Sequence, residues 1–284
     1  MCIFSKKAIP EPLTAFANRL LAFARQLVPR DFVLRRHWRA YHAVRQACNP
    51  PGRWLLEVFA AMYPHAFFIQ IGSNDGLKLD PLRPEILASR WRGILIEPVP
   101  DLFAQLRTNY SSCEERLCFE NLAIADRDGV LPFYHLAPVK DFRAEGLPEW
   151  YDALGSFGRE VIAEHATAIP DIEKRIVQFD VPVVTFDTLC QRHDIRALDL
   201  LHIDPEGYDF ELLKTIDFRR FHPRLVIFEH IHLKPEDQLS AIAYMEGHGY
   251  ETRRDGMDTW CLNLRDTLPR DRLLLKLWFR LSRG

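Results

Sequence analysis

The chain has 284 residues, 48% apolar and 27% charged, the proportions of an ordinary globular protein whose core is large enough to fold without a metal or disulfide staple. Its net charge of −2 is unevenly spread: residues 1–60 carry ten Lys/Arg against three Asp/Glu, and residues 265–284 six against two, net +7 and +4. The middle, 61–264, therefore holds −13, which excludes a nucleic-acid groove there.

The opening MCIFSKKAIPEP lacks the apolar run of a signal peptide. Leu13 to Val28 is broken by Arg19 and Arg25, and Phe16, Leu20, Phe23 and Leu27 recur at helical spacing, so an amphipathic helix is expected rather than a membrane span. Helical character continues to residue 60, interrupted at Pro29 and at Asn49-Pro50-Pro51-Gly52. Residues 1–60 are thus expected to be a basic helical extension. Six scattered cysteines with no C-x-x-C pair read as free thiols in a reducing compartment, and the expected address is the cytoplasm.

From Phe67 short apolar runs alternate with amphipathic stretches, the pattern of a mostly parallel sheet with helices on both faces. Strands are predicted at Phe67–Ile71, Gly93–Glu97, Leu117–Leu122, Asp199–Asp204 and Leu225–Glu229, with a terminal hairpin of Tyr250–Arg253 and Thr259–Asn263. Helices are predicted at Pro100–Tyr110, Phe186–His193, Phe210–Ile216 and Pro235–Gly247. An insertion from about 130 to 184 interrupts the alternation, with a short strand at Leu131–Tyr134, a loop through Trp150-Tyr151 and a helix near Gly158–Thr167. Its aromatic content argues against disorder and assigns it to substrate binding. The methyl-rich, basic stretch 265–284, with Leu273, Leu274, Leu275, Leu277, Trp278 and Phe279 among Lys276 and Arg280, is expected to be an amphipathic tail able to lie on an anionic membrane.

Five motifs carry chemistry. In FFIQIGSNDG a strand runs into Gly72, Ser73, Asn74, Asp75 and Gly76, a G-x-x-x-G turn whose first glycine lets a ligand approach the backbone. The dinucleotide G-x-G-x-x-G is absent, so a ligand without phosphates fits better. GILIEP ends a second strand in Glu97, with Pro98 after it, where a carboxylate can accept both ribose hydroxyls of a nucleoside. ENLAIADRDG brings Asn121 to the end of a third strand, in reach of an adenine ring. LLHIDPEGYDFELL ends a buried strand in Asp204, followed by Glu206 and Tyr208; His202 in that strand reads as a satisfied buried histidine. LVIFEHIHL presents Glu229, His230 and His232. Two histidines and an acid invite a metal, but alternation along an extended segment puts Glu229 on the side opposite His230 and His232. No metal is therefore expected, and one histidine is expected to act as base or to orient substrate.

IQIGSNDG, ILIEP, NLAIAD, Gly155-Ser156-Phe157, IDPEGYD and FEHIHL, in that order, resemble FkbM-type methyltransferases from Phe67 to Leu264. The resemblance implies a class I methyltransferase fold, α/β and Rossmann-like, with a doubly wound seven-stranded sheet holding one antiparallel strand. It implies S-adenosylmethionine as cofactor and O-methylation of a sugar, glycan or natural-product hydroxyl. By position it implies a cofactor loop at Gly72 to Gly76, the ribose on Glu97, adenine beside Asn121 to Ala123, and Asp204 near the methionine end. Gln70 stands where methyltransferases commonly carry an acid; it can bond the cofactor but offers no charge. Ser156, Phe157 and Tyr208 are candidate acceptor contacts, and His232, then Glu206, then His230 are candidates for the base. Two rival readings are a non-catalytic binding module on a degenerate methyltransferase fold and a nicotinamide-dependent oxidoreductase. The oligomeric state is not legible.

Overall fold

The computed structural model describes residues 53–281 apart from 79 and 266. The predicted helices before residue 53, with Cys2 and Cys48, lie outside the described residues.

Seven strands form one sheet in the order β10-β11-β9-β8-β1-β2-β3. These are β1 (Phe67–Ile71), β2 (Arg92–Ile96), β3 (Leu117–Glu120), β8 (Leu200–Ile203), β9 (Leu225–Glu229), β10 (Glu251–Asp255) and β11 (Asp258–Leu262). All neighbours pair in parallel except β11, which runs antiparallel to both β9 and β10. This is the mostly parallel α/β sheet that the sequence pattern predicts, with the one antiparallel strand that the family resemblance implies.

Alternation within buried strands divides the core into two layers. Ile69, Ile71, Ile94, Ile96, Leu201 and Val226 pack on one face against helices α6 (Phe186–Arg192), α7 (Asp209–Thr215) and α8 (Pro235–Gly247). Phe68, Leu95, Leu200 and Ile227 pack on the other against α1 (Arg53–Met62), α2 (Arg83–Ala88), α3 (Pro100–Asn109) and α9 (Pro269–Leu281). Each such side chain contributes about 1.5–3 kcal/mol by burial. Leu55, Leu56 and Phe59 of α1 share one cluster with Leu275 and Phe279 of α9. The helices flanking the expected limits at 60 and 265 therefore pack into the same core as the segment between them. No described helix is long and apolar enough to cross a membrane. Cys113, Cys118, Cys190 and Cys261 are free.

The predicted insertion contains more strand than its sequence suggests. β5 (Gly129–Leu136) pairs antiparallel with β7 (Ile176–Val184) over its whole length, and β4 (Ala123–Ile124) and β6 (Gly155–Ser156) complete a second sheet, β4-β7-β5-β6. The helix predicted near Gly158–Thr167 is α4 (Arg159–Ala163) followed by a 3-10 turn at Glu164–Thr167, and a short helix α5 (Ile172–Arg175) leads into β7. Lys78, beyond the glycine turn, donates to Asp152 Oδ2 at 2.6 Å and fastens the insertion to the main sheet.

Candidate functional site

β1 lies between β2 and β8, so the strand order reverses at the β1/β8 boundary, where open α/β sheets form a crevice at their carboxyl ends. The chain leaves β1 at Gly72 with φ +78°, and a Cβ there would stand 2.0 Å from the Asp204 carbonyl oxygen. Glycine is required at this position by the end of β8 itself. Gly72 and Ser73 both donate their N–H to Ile96 O (3.1 and 3.0 Å), and Ile96 donates back to Ser73 Oγ (3.2 Å), so the turn is bolted to β2. Asn74, left-handed at φ +49°, donates its N–H to Glu97 Oε2 at 2.8 Å.

The five predicted loop residues divide. Gly72, Ser73 and Asn74 line a cleft of about 150 Å³. Asp75 instead accepts the N–H groups of Leu77 and Lys78 (both 2.8 Å), which shapes the turn. Gly76 makes room for Leu106 and Tyr110, whose side chains would lie 2.5 and 2.6 Å from a Cβ. Neither of these two lines the cleft.

Glu97 is buried, and each of its oxygens accepts one backbone N–H, from Asn74 and from Val99 (2.9 Å). Burial pushes its carboxyl up to about 7. Pro98 and Ala123 line the cleft, joined by the apolar side chains of Val99, Leu102, Ile124 and Phe133, which the sequence reading missed. Asn121 is not in the lining: its amide donates to Glu97 O (2.8 Å) and Pro98 O (3.1 Å) and so fixes the end of β2.

Gln70 and His202 sit side by side in register on β1 and β8, both buried, and both line the cleft. Gln70 Nε2 donates to Asp80 Oδ1 at 3.1 Å while its Oε1 has no partner. Asp80 also lines the cleft, accepts the Tyr110 hydroxyl at 2.6 Å, and has its carboxyl raised by burial. The acid missing at Gln70 therefore stands ten residues later, among the signals that start α2. His202 is buried but not satisfied: Nδ1 has no partner, and burial holds the ring down to about 4, so it stays neutral.

The other end of the cleft is acidic. β9 delivers Glu229 to the edge, and the chain then turns, Leu233 donating to His230 O at 3.1 Å. That turn overturns the alternation expected beyond Glu229. His232 Nε2 stands 3.2 Å from Glu206 Oε2 and 3.6 Å from Glu229 Oε2. His230 points elsewhere, its Nδ1 3.1 Å from Thr259 Oγ1. Burial, with His165 beside it, holds His232 down to about 4, away from the near-neutral ionisation of a free imidazole. Glu206, in a left-handed conformation, has its carboxyl raised by burial and by Asp204. Ser156 does not line the cleft; its hydroxyl donates to Glu206 O at 2.9 Å and braces that loop. Phe157 lines the cleft, and Tyr208 stands behind it, ring centroids 5.4 Å apart.

The profile of the Methyltransferase FkbM domain matches residues 70–252, well over half the chain. The chain belongs to the FkbM methyltransferase family. Among solved structures it is similar to the methyltransferase FkbM of Methylobacillus flagellatus KT, at 13% identity and a TM-score of 0.44 over 70% of this chain and 44% of that one. It is also similar to a methyltransferase from Geobacter sulfurreducens (11% identity, TM-score 0.39, 86% of this chain and 95% of that one). An O-methyltransferase from Bacillus cereus in complex with SAH is similar at 10% identity and a TM-score of 0.39, over 84% of this chain and 93% of that one. No curated protein matches the sequence.

Membership of the FkbM family implies S-adenosylmethionine as cofactor, and the residues of this FkbM-domain cleft fit it. Each Glu97 oxygen keeps acceptor capacity beyond its one backbone bond, enough for a pair of ribose hydroxyls. Val99, Leu102, Ile124 and Phe133 offer an apolar wall to a flat ring. The unpartnered Gln70 Oε1 and Asp204 Oδ1, with Asp80 behind, offer acceptors to an ammonium group.

Proposed function

We propose that the chain is an S-adenosylmethionine-dependent O-methyltransferase acting on a hydroxyl of a sugar, glycan or natural product, with 61–264 as its catalytic domain and 130–184 as the acceptor side. The observation that carries this reading is that Glu206 and Glu229 line the cleft that also holds Gly72 and Glu97, with His232, outside the lining, beside both carboxylates.

The cofactor, when bound, supplies a methyl group already activated on a sulfonium. What remains for the chain is to align an acceptor oxygen with that methyl carbon and to handle the hydroxyl proton. Gly72, Asn74 and Glu97 hold the nucleoside, and Gln70, Asp80 and Asp204 hold the amino-acid end. Glu206, Glu229 and His232 would receive the acceptor hydroxyl, and one of these side chains would take its proton as the oxygen accepts the methyl group. Phe157 lines the cleft, and behind His232 lie the rings of His165, 5.2 Å away, and of Trp150, 5.3 Å from His165. The acidity of the middle segment suits a cationic donor and disfavours a heavily anionic acceptor.

Incubating the protein with methyl-labelled S-adenosylmethionine and cell extract, followed by mass analysis, tests the reading. The expected product carries one labelled methyl ether. Label on nitrogen or carbon would refute O-methylation, and cofactor binding without transfer to any acceptor would favour the binding-module alternative.

A further inference from the structure

We propose that Glu206, Glu229 and His232 form a divalent-cation site at the acceptor end of the cleft, suited to Mn²⁺ or Zn²⁺. Glu229 is the last residue of β9, Glu206 and His232 lie in the loops that leave β8 and β9, and their ligand atoms lie within 4.8 Å of one another. Ligands about 2.1 Å from a shared ion stand about 3.0 Å apart at right angles and about 3.4 Å apart at the tetrahedral angle. The 3.2 and 3.6 Å separations from His232 Nε2 already have that spacing.

A second observation points the same way. Glu229 is 6% exposed, and its Oε2, the atom facing His232, has no hydrogen-bond partner; Glu206 Oε2 likewise has none. Asp209, buried, and Asp204, half-buried, lie nearby, each also with an unpartnered oxygen. Among the described residues no lysine or arginine pairs with any of these four acids. Unpaired buried carboxylates are costly unless neutralised, and a cation does this for several at once.

The donor set selects the ion. Two carboxylates and an imidazole form a mixed oxygen–nitrogen site, which suits Mn²⁺ or Zn²⁺ better than the all-oxygen shell of Mg²⁺ or Ca²⁺. Three protein ligands leave a coordination position open. An acceptor hydroxyl in that position would be oriented and acidified. This catalytic role rests on the methyltransferase reading; cation binding does not.

The full-length protein, freed of metal with chelator, is titrated with Mn²⁺ alone by calorimetry and by loss of the free-ion paramagnetic resonance signal. One equivalent should bind to wild type, with affinity at least about 10-fold weaker in Glu206→Gln and Glu229→Gln. Zn²⁺ should displace the Mn²⁺, and Mn²⁺ should raise the melting temperature of wild type but not of either variant. Melts in metal-free buffer check folding; if Glu229→Gln fails to fold, Glu206→Gln and His232→Ala carry the comparison. No binding by wild type, or equal affinity in wild type and the folded variants, would overturn the site. S-adenosylmethionine titrated into the metal-free protein separates the two readings. Binding there without any Mn²⁺ binding sinks the cation site alone, and Mn²⁺ binding without cofactor binding sinks the methyltransferase reading alone.

Discussion

Gly72 and Gly247 are both glycines at the end of an element, yet the structure asks opposite things of them. Gly72 has a left-handed φ and would place a Cβ 2.0 Å from the Asp204 carbonyl oxygen, whereas a Cβ on Gly247, ending α8, would meet nothing within 4 Å beyond its chain neighbours and its own helix backbone. Gly72→Ala should therefore cost more than about 2 kcal/mol in chemical denaturation, and Gly247→Ala should stabilise by about 0.5–1 kcal/mol. A Gly72→Ala protein as stable as wild type would contradict the close approach. It also follows that Gly72→Val cannot serve as a clean cofactor-binding variant, because the fold is strained before any ligand arrives. His202 gives a pH test. Its folded ionisation, near 4, lies below the ordinary 6.5, so the unfolded chain binds the proton first. The stability it contributes is whole above 6.5 and is lost as pH falls toward 4. Compared with His202→Leu, wild type should lose on the order of 3 kcal/mol across that window. Parallel stability profiles would mean that the ring is not buried neutral. Gly72 and Glu97 were legible in the sequence because both terminate apolar strands. Asp80 was not: nothing in its neighbours tells a cap-like Asp-Pro from an acid turned into the cleft.

Elements buried on both faces announced themselves as apolar runs, which is why the strands of the large sheet were readable to within a residue or two. β7 was missed because its outer half is exposed: Gln178 and Asp180 break the apolar pattern, and its pairing with β5 is a long-range contact. α2 is six residues long, too short to show a period. The convergence of Glu229 and His232 was missed for a different reason. Period-two reasoning was carried past the end of β9, where the chain had already turned. α9 shows what periodicity alone leaves open. Its apolar face was legible, but whether that face meets a membrane or the domain was not. Leu275 and Phe279 are buried against α1, while Leu273 is 69% exposed. Leu275→Ala should cost about 2–5 kcal/mol in thermal or denaturant unfolding, and Leu273→Ala less than about 0.5 kcal/mol. Equal, small effects would free the helix for an anionic surface. Liposome sedimentation that fell with salt and with Leu273→Ala would then be the expected companion result.

At the scale of the whole molecule, one cleft at the strand-order reversal joins two chemically distinct ends. The Gly72–Glu97 end is built from backbone approach and a buried acceptor, and the Glu206–Glu229–His232 end from uncompensated acids and a neutral imidazole. The second sheet and its flanking turns close over both, tied down through Lys78 and Asp152. The central claim is that the first end binds S-adenosylmethionine through Glu97. Calorimetric titration of S-adenosylmethionine into wild type and Glu97→Ala tests it most directly, alongside a donor lacking both ribose hydroxyls. One cofactor should bind per chain. Glu97→Ala should weaken the intact donor by about 1.5–3 kcal/mol, the worth of hydrogen bonds to a charged group, and should leave the deoxygenated donor unaffected. No heat on titrating wild type, or equal affinity of wild type and Glu97→Ala for the intact donor, would contradict it.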